Sequence, residues 1–269
     1  MTAVLLIPWF RWQTIALRLG QHELTLHPYR IAMAVAIATI ICTAALFARK
    51  RRRSVEPTLG FIIHVMAFAL PAALLASVVL DQPQALSRFV RRPENFADLR
   101  FYWSTFGGMI GGLFGALVWK LRTEGSLLEM LDVLAFALPF GWCIARLGCF
   151  AVHDHAGRVS HFALAVAGFH FGVPPYQPRH DMALYDAIVV GAIALLFLFL
   201  ARTPRRKAFY LALLLILYTP ARFFLDFLRA PQDEGGMTRY LGLTHIQYIA
   251  IVLFAVGLAL VSRIRSRAA

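Results

Sequence analysis

The chain has 269 residues, of which 59% are hydrophobic and 15% charged. Soluble domains run nearer 45–50% apolar and about 25% charged, so composition excludes an ordinary soluble fold and a disordered chain alike. The net charge of +13 would suit nucleic acid in a soluble protein. Here the Arg and Lys residues sit between apolar runs, where membrane topology places them. Anionic lipid headgroups are therefore the expected partner, and nucleic acid is not.

The first 28 residues are broken by Pro8, Arg11 and Arg18 and do not read as a span. Trp9, Phe10 and Trp12 suit a segment lying in the outer membrane interface, covering residues 1–29. No basic stretch leads into an apolar core with a small-residue cleavage site, so no removable signal peptide is expected.

Seven apolar segments follow, at about 30–48, 59–80, 104–119, 127–148, 183–201, 208–228 and 245–262. Most have the roughly 17–25 residues that a membrane helix needs. Basic clusters follow the odd segments: Arg49 to Arg53, then Lys120 and Arg122, then Arg202, Arg205, Arg206 and Lys207, then Arg263, Arg265 and Arg267. The positive-inside rule then gives seven crossings, with the N-terminus outside and the C-terminus cytoplasmic. The expected fold class is an all-α integral membrane protein, one polytopic domain over residues 1–269, with polar periplasmic loops.

The outer connections are the longer ones, and 149–182 is the longest. Long loops in compact proteins often carry function. This one holds His153, Asp154, His155, Arg158, His161, His170, Arg179, His180 and Asp181; the alternative is a solvated loop with incidental histidines. Within it, 161–174 is apolar but too short to span. It either lies on the membrane or packs on the outer helix ends.

Charges inside membrane segments are costly and mark function. Arg146 ends the fourth segment, and Arg222 sits in the sixth with Asp226 four residues on. Arg222 and Asp226 share a helix face and can simply pair. Alternatively, two arginines on different helices converge on one phosphate, which the planar guanidinium fork suits. His153, Asp154 and His155 offer general bases. Their adjacent side chains diverge, so the triplet is not read as a metal site, and no cofactor is expected. Gly107, Gly108, Gly111, Gly112 and Gly115 read as small-residue helix packing. Tyr29, Tyr185 and Tyr218 lie near outer boundaries, where aromatic anchoring accounts for each alone. Glu129 and Asp132 read as interfacial, and Cys149 as an inert helix-terminal thiol or a nucleophile.

The order of these motifs resembles the prolipoprotein diacylglyceryl transferases, a family of bacterial inner-membrane enzymes. The stretch Ala145-Arg146-Leu147-Gly148-Cys149-Phe150, running through Asp154 to Gly157-Arg158, is similar to the family's G-R-x-G-N-F-x-N-x-E-x-x-G-R. His180 to Asp186 is similar to H-P-x-Q-L-Y-E. Tyr218, Arg222, Phe223, Asp226, Arg229 and Pro231 are similar to Y-x-x-x-R-F-x-x-E-x-x-R-x-P. Leu26 to Tyr29 resembles L-x-W-Y, and Gly107-Gly108 resembles the H-G-G-x-x-G stretch. The chain departs from the pattern at Phe106 for His, Cys149 for Asn, Ala183 for Gln, and Asp154 and Asp226 for Glu.

The resemblance implies transfer of a diacylglyceryl group from phosphatidylglycerol to the lipobox cysteine of a prolipoprotein, in the inner membrane and without a cofactor. It implies that Arg146 and Arg222 hold the headgroup phosphate. Asp154 with His153 or His155 would replace the base lost at Phe106. Tyr29, Gly157, Arg158, His180, Tyr185, Tyr218 and Asp226 would shape the substrate pocket. Transfer to another acceptor, hydrolysis, and lipid binding or transport without chemistry remain open alternatives.

Overall fold

The computed structural model describes residues 6–19, 22–81, 83–93, 104–170, 175–231, 234, 237 and 239–266. Arg18 contributes backbone alone, and Arg267 and the end of segment 161–174 lie outside the described residues. The chain divides into two compact units, Ala48–Met130 and Met1–Phe47 with Leu131–Ala269.

In the first of these units, α2 (Glu56–Asp81) runs antiparallel to α4 (Thr105–Arg122). The glycine stripe explains how closely. A methyl on Gly107 would sit 2.3 Å from the Ala72 carbonyl oxygen, on Gly111 2.3 Å from that of Phe68, and on Gly115 2.4 Å from that of His64. Only hydrogen fits on three successive turns, so the stripe is a backbone-to-backbone seam. Ser104 caps α4, its hydroxyl accepting from the Gly107 amide. Phe106, one residue before the seam, is exposed. The short α3 (Pro83–Arg91) lays Leu86 and Phe89 on Val78. Glu129 pairs with Arg53 at 2.9 Å.

The other unit holds most of α1 (Pro28–Lys50) and α5 (Leu127–Val152), with α6 (Met182–Leu200), α7 (Phe209–Leu225) and α8 (His245–Ser266). α1 and α5 approach through Gly141 against Ala36 and Gly148 against Ala32. α7 packs on α8 through Gly257, which faces Leu215 and Ile216. Near the start of α7 an aromatic cluster forms. Phe136 stacks 3.8 Å from Phe47, and both meet Tyr210 edge-on; Phe197 also meets Tyr210, at 5.1 Å. α7 starts at the left-handed Ala208 with no side-chain cap of its own. Asp132 supplies one, accepting from the Leu211 amide at 3.0 Å. Asp132, expected near the inner end of the fourth segment, is buried because α7 needs an acceptor there.

Small strands cover the other end of these helices. β3 (Ala156–Val159), β5 (Arg179–Asp181) and β4 (Ala165–Val166) make an antiparallel sheet in the order β3-β5-β4. Ile7 extends its edge by bonding both Ala165 and Ala167. Two hairpins complete the unit: β1 (Ile15–Leu19) with β2 (His22–Leu26), and β6 (Arg239–Tyr240) with β7 (Leu243–Thr244). Leu241 and Gly242 turn the second with positive φ angles.

All seven apolar segments are helical. Among the described residues six helices are long and apolar enough to cross a membrane: α1, α2, α5, α6, α7 and α8. α4, which ends in Lys120 and Arg122, is the remaining one. α5 runs to Val152 rather than 148, because Cys149, Phe150 and Ala151 continue its packed surface. The loop expected from 149 therefore starts at His153.

Candidate active site

Arg146 lies near the end of α5, and its Nε is 2.9 Å from the Asp186 carboxylate on the second turn of α6. This nitrogen makes an ion pair off the N–H direction and gains no hydrogen bond there. Asp186 is 2% exposed and also accepts from the Tyr218 hydroxyl at 3.2 Å. Tyr218 in turn lies against Trp142 of α5. One turn further along α7, Arg222 places Nη2 3.2 Å from Asp226. Arg222 Nη1 is buried and has no hydrogen-bond partner among the described residues.

Asp226 is the hub of this layer. It is fully buried where α7 turns into the 3-10 turn Asp226–Leu228. One carboxylate oxygen takes Arg222 and the Arg229 Nε at 2.9 Å, and the other takes the Thr244 hydroxyl. Arg239 donates to its backbone carbonyl at 2.9 Å. Burial and the neighbouring Arg222 charge pull the Arg229 guanidinium below its ordinary pKa, while Asp226 opposes them. Among the described residues, the guanidiniums of Arg146, Arg222 and Arg229 thus face two buried carboxylates, Asp186 and Asp226, which leaves one positive charge unbalanced. Unpaired buried charge is expensive, and a bound anion offsets it.

The two histidines of the triplet part company. His155 turns to Arg146, with Nε2 3.3 Å from Nη1, and its Nδ1 contacts Asp154. Arginine can only donate and an ionised carboxylate can only accept, so the proton of the neutral ring sits on Nδ1 and Nε2 accepts from Arg146. His153 turns the other way. It is buried, bonds Asp181 at 2.7 Å, and is caged by Trp9, Phe10, Phe150 and Phe169. Its positive φ of 52° ends α5 and drives this divergence. Asp181 also caps α6, accepting from Ala183 and Leu184 amides.

Of the other expected residues, Tyr29 is half-buried in the first turn of α1, where Asp154, Cys149 and Arg146 are close enough to act on it electrostatically. Gly157 is wedged so tightly that a methyl would meet His180 Cβ at 2.7 Å and the Leu228 carbonyl at 2.8 Å. Its own carbonyl accepts from Arg179, which also pairs with Glu234 at 2.6 Å. His180 bonds the Tyr185 hydroxyl at 2.6 Å, and burial lowers the His180 pKa. Arg158 is exposed on β3, and among the described residues no hydrogen bond or ion pair ties it to the arginine layer. Sequence reasoning left Asp186 and Arg229 out of the site. A carboxylate inside an apolar run demands a cation, and Arg229 stands one turn from Asp226; both signals were present. An apolar cleft of about 380 Å³ opens between the N-terminal segment, α1 and α5, lined by Phe10, Trp12, Pro28, Ala32, Leu147 and Gly148 among others.

These features define a multi-pass helical membrane protein with a buried, cation-rich site at its helix ends. The chain belongs to the prolipoprotein diacylglyceryl transferase family, whose model matches residues 14–263. It is similar to phosphatidylglycerol–prolipoprotein diacylglyceryl transferases. That of Chromohalobacter salexigens is 29% identical over 158 residues, 58% of each chain. That of Teredinibacter turnerae is 30% identical over 156 residues, 57% of this chain and 53% of the relative. The chain spans little more than half the length of these two relatives. A third, from Pseudomonas fluorescens, is 25% identical over 263 residues, 95% of this chain and 94% of the relative.

Proposed function

We propose that this protein transfers a diacylglyceryl group from phosphatidylglycerol to the lipobox cysteine of prolipoproteins. The observation that carries the reading is the unbalanced positive charge among Arg146, Arg222 and Arg229, with Arg222 Nη1 buried and unpartnered. A phosphodiester carries one negative charge and would balance it. The names of the similar proteins supply the donor and the acceptor.

In this reading Arg146 Nη1 turns from His155 Nε2 to the phosphate, and the acceptor thiol gives its proton to the Nε2 so released, with Asp154 holding Nδ1. The sulfur attacks the glycerol carbon that bears the phosphate ester. The carbon–oxygen bond breaks, and its electron pair leaves with glycerol phosphate. Arg146 and Arg222 stabilise the growing phosphate charge, a contribution worth about 10²–10³ in rate per donor group. Asp226 and Asp186 are positioning residues that aim the arginines. His153 serves by anchoring the loop against Trp9 rather than by taking a proton. Tyr29, Tyr185 with His180, Tyr218, Gly157 and Arg158 frame the substrate, and the apolar cleft beside Gly148 takes an acyl chain.

The chain is read as one polytopic domain in the bacterial inner membrane. The N-terminus and the β3-β5-β4 sheet face the periplasm, and the C-terminus faces the cytoplasm. The basic residues that follow α1, α4, α6 and α8 support this orientation. α4 is taken as the seventh crossing because its glycine seam follows α2, itself long enough to span.

The test places the purified protein in phosphatidylglycerol vesicles with a lipobox-cysteine peptide and weighs the peptide. The expected result is a gain of one diacylglyceryl group, lost in Arg146→Ala. Full transfer by Arg146→Ala would remove the phosphate assignment. No gain, beside an active family member, would favour another acceptor or lipid binding alone.

A further inference from the structure

Cys149 takes no part in the proposed transfer, yet it does not stand alone. It is buried on the last turn of α5, and its Sγ lies within 4.8 Å of ligand-capable atoms of both Asp154 and His155, which contact each other. We propose that these three residues form a binding site for one thiophilic divalent transition metal ion of the zinc class.

The donor set selects the ion. One thiolate, one imidazole and one carboxylate suit zinc, whereas magnesium and calcium prefer all-oxygen shells. Zinc bonds of about 2.0–2.3 Å put tetrahedral ligands roughly 3.3–3.8 Å apart, so small side-chain shifts suffice to place the three donors round the ion. The charges also fit. Thiolate and carboxylate cancel two positive charges, and Arg146, which contacts both Cys149 and His155 and would turn aside for the ion, is paired with Asp186 at 2.9 Å. Asp154 is exposed and His155 partly so, which gives the ion a way in and leaves a fourth position open. Binding releases the Cys149 thiol proton to solvent. The sequence objection, that adjacent side chains diverge, applies to His153; its Nδ1 is taken by Asp181, and it is not part of this set.

Coordination also has a consequence that rests on the transferase reading. His155 now offers Nδ1 to Asp154 and Nε2 to Arg146. If the ion takes Nε2, the Arg146 contact is displaced. If it takes Nδ1, the ring proton moves to Nε2, which can no longer accept from arginine. Either way the base is lost, so the metal inhibits transfer.

The experiment titrates the untagged full chain in detergent micelles, stripped with chelator, with Co²⁺. It needs no lipid or peptide, so it succeeds or fails independently of the transferase reading. One equivalent should bind with a thiolate-to-cobalt charge-transfer band that Zn²⁺ displaces. Cys149→Ser should lose the band and bind at least about 100-fold more weakly, with an unchanged unfolding midpoint. His155→Ala should weaken binding similarly, and exposed His161→Gln should not. Absence of the band in folded protein, or a band that survives Cys149→Ser, would overturn the proposal.

Discussion

Phe136, Phe197 and Tyr210 of α5, α6 and α7 gather at one end of these helices, with Phe47 of α1 stacked on Phe136. Ten to twelve residues along the same helices, about 15–18 Å away at 1.5 Å per residue, lie Arg146, Asp186 and Arg222. The aromatic end is satisfied by packing and by the Asp132 carboxylate, which accepts from the Leu211 amide. The charged end is not: among the described residues it buries three guanidiniums against two carboxylates and leaves Arg222 Nη1 without a partner. Replacing a buried ion pair by well-packed apolar residues is often neutral or stabilising. Stability alone therefore gives no reason to build the second end, whereas a bound phosphate does. The difference teaches where to look for function on a helix bundle: at the level where the charges stop balancing.

The sharpest way to break this contrast is Asp226→Ala. It strips Arg222 and Arg229 of their buried counter-charge and should destabilise the fold by about 3–5 kcal/mol, read as a lowered unfolding midpoint in detergent. Next comes Arg222→Ala, which should slow transfer about 10²–10³-fold with little change in that midpoint, since Asp226 keeps Arg229 and Thr244. Equal losses of fold and rate in this variant would mean that the arginine is structural. At the aromatic end, Phe136→Leu should lower stability by about 1–2 kcal/mol while turnover per folded molecule stays unchanged. A turnover defect there would erase the division between the two ends.

The smallest effect concerns pH. Burial lowers the His180 pKa, so the unfolded chain binds its proton more readily than the folded one. Stability is then intact above the ordinary histidine value of about 6.5 and falls as the medium is acidified through it. His180→Gln should flatten that part of the pH–stability curve; an unchanged slope would assign it to another group.

Much of this was readable in the residues. The helices are long apolar runs bounded by Arg and Lys, and the lipid environment leaves little choice of structure for such runs. The glycine stripe at spacings of four announced the α2–α4 seam. The arginines stood out because charge inside an apolar segment is rare. What stayed hidden depends on contacts between distant segments. Asp132 reads as interfacial until α7 starts without a cap beside it. His153 and His155 look equivalent until the left-handed turn at His153 sends one ring to Asp181 and the other to Arg146. The three short strands are too brief to carry an alternating pattern. Their register is set by Ile7 and by the Asp181 cap rather than by their own side chains.

A charged end that captures a phospholipid phosphate should keep its lipid through extraction. Native mass spectrometry of protein extracted from phosphatidylglycerol membranes should find one bound phosphatidylglycerol on the wild type and on Phe136→Leu, and none on Arg222→Ala. Equal retention by the arginine variant would contradict the account, and the unbalanced charge would need another anion.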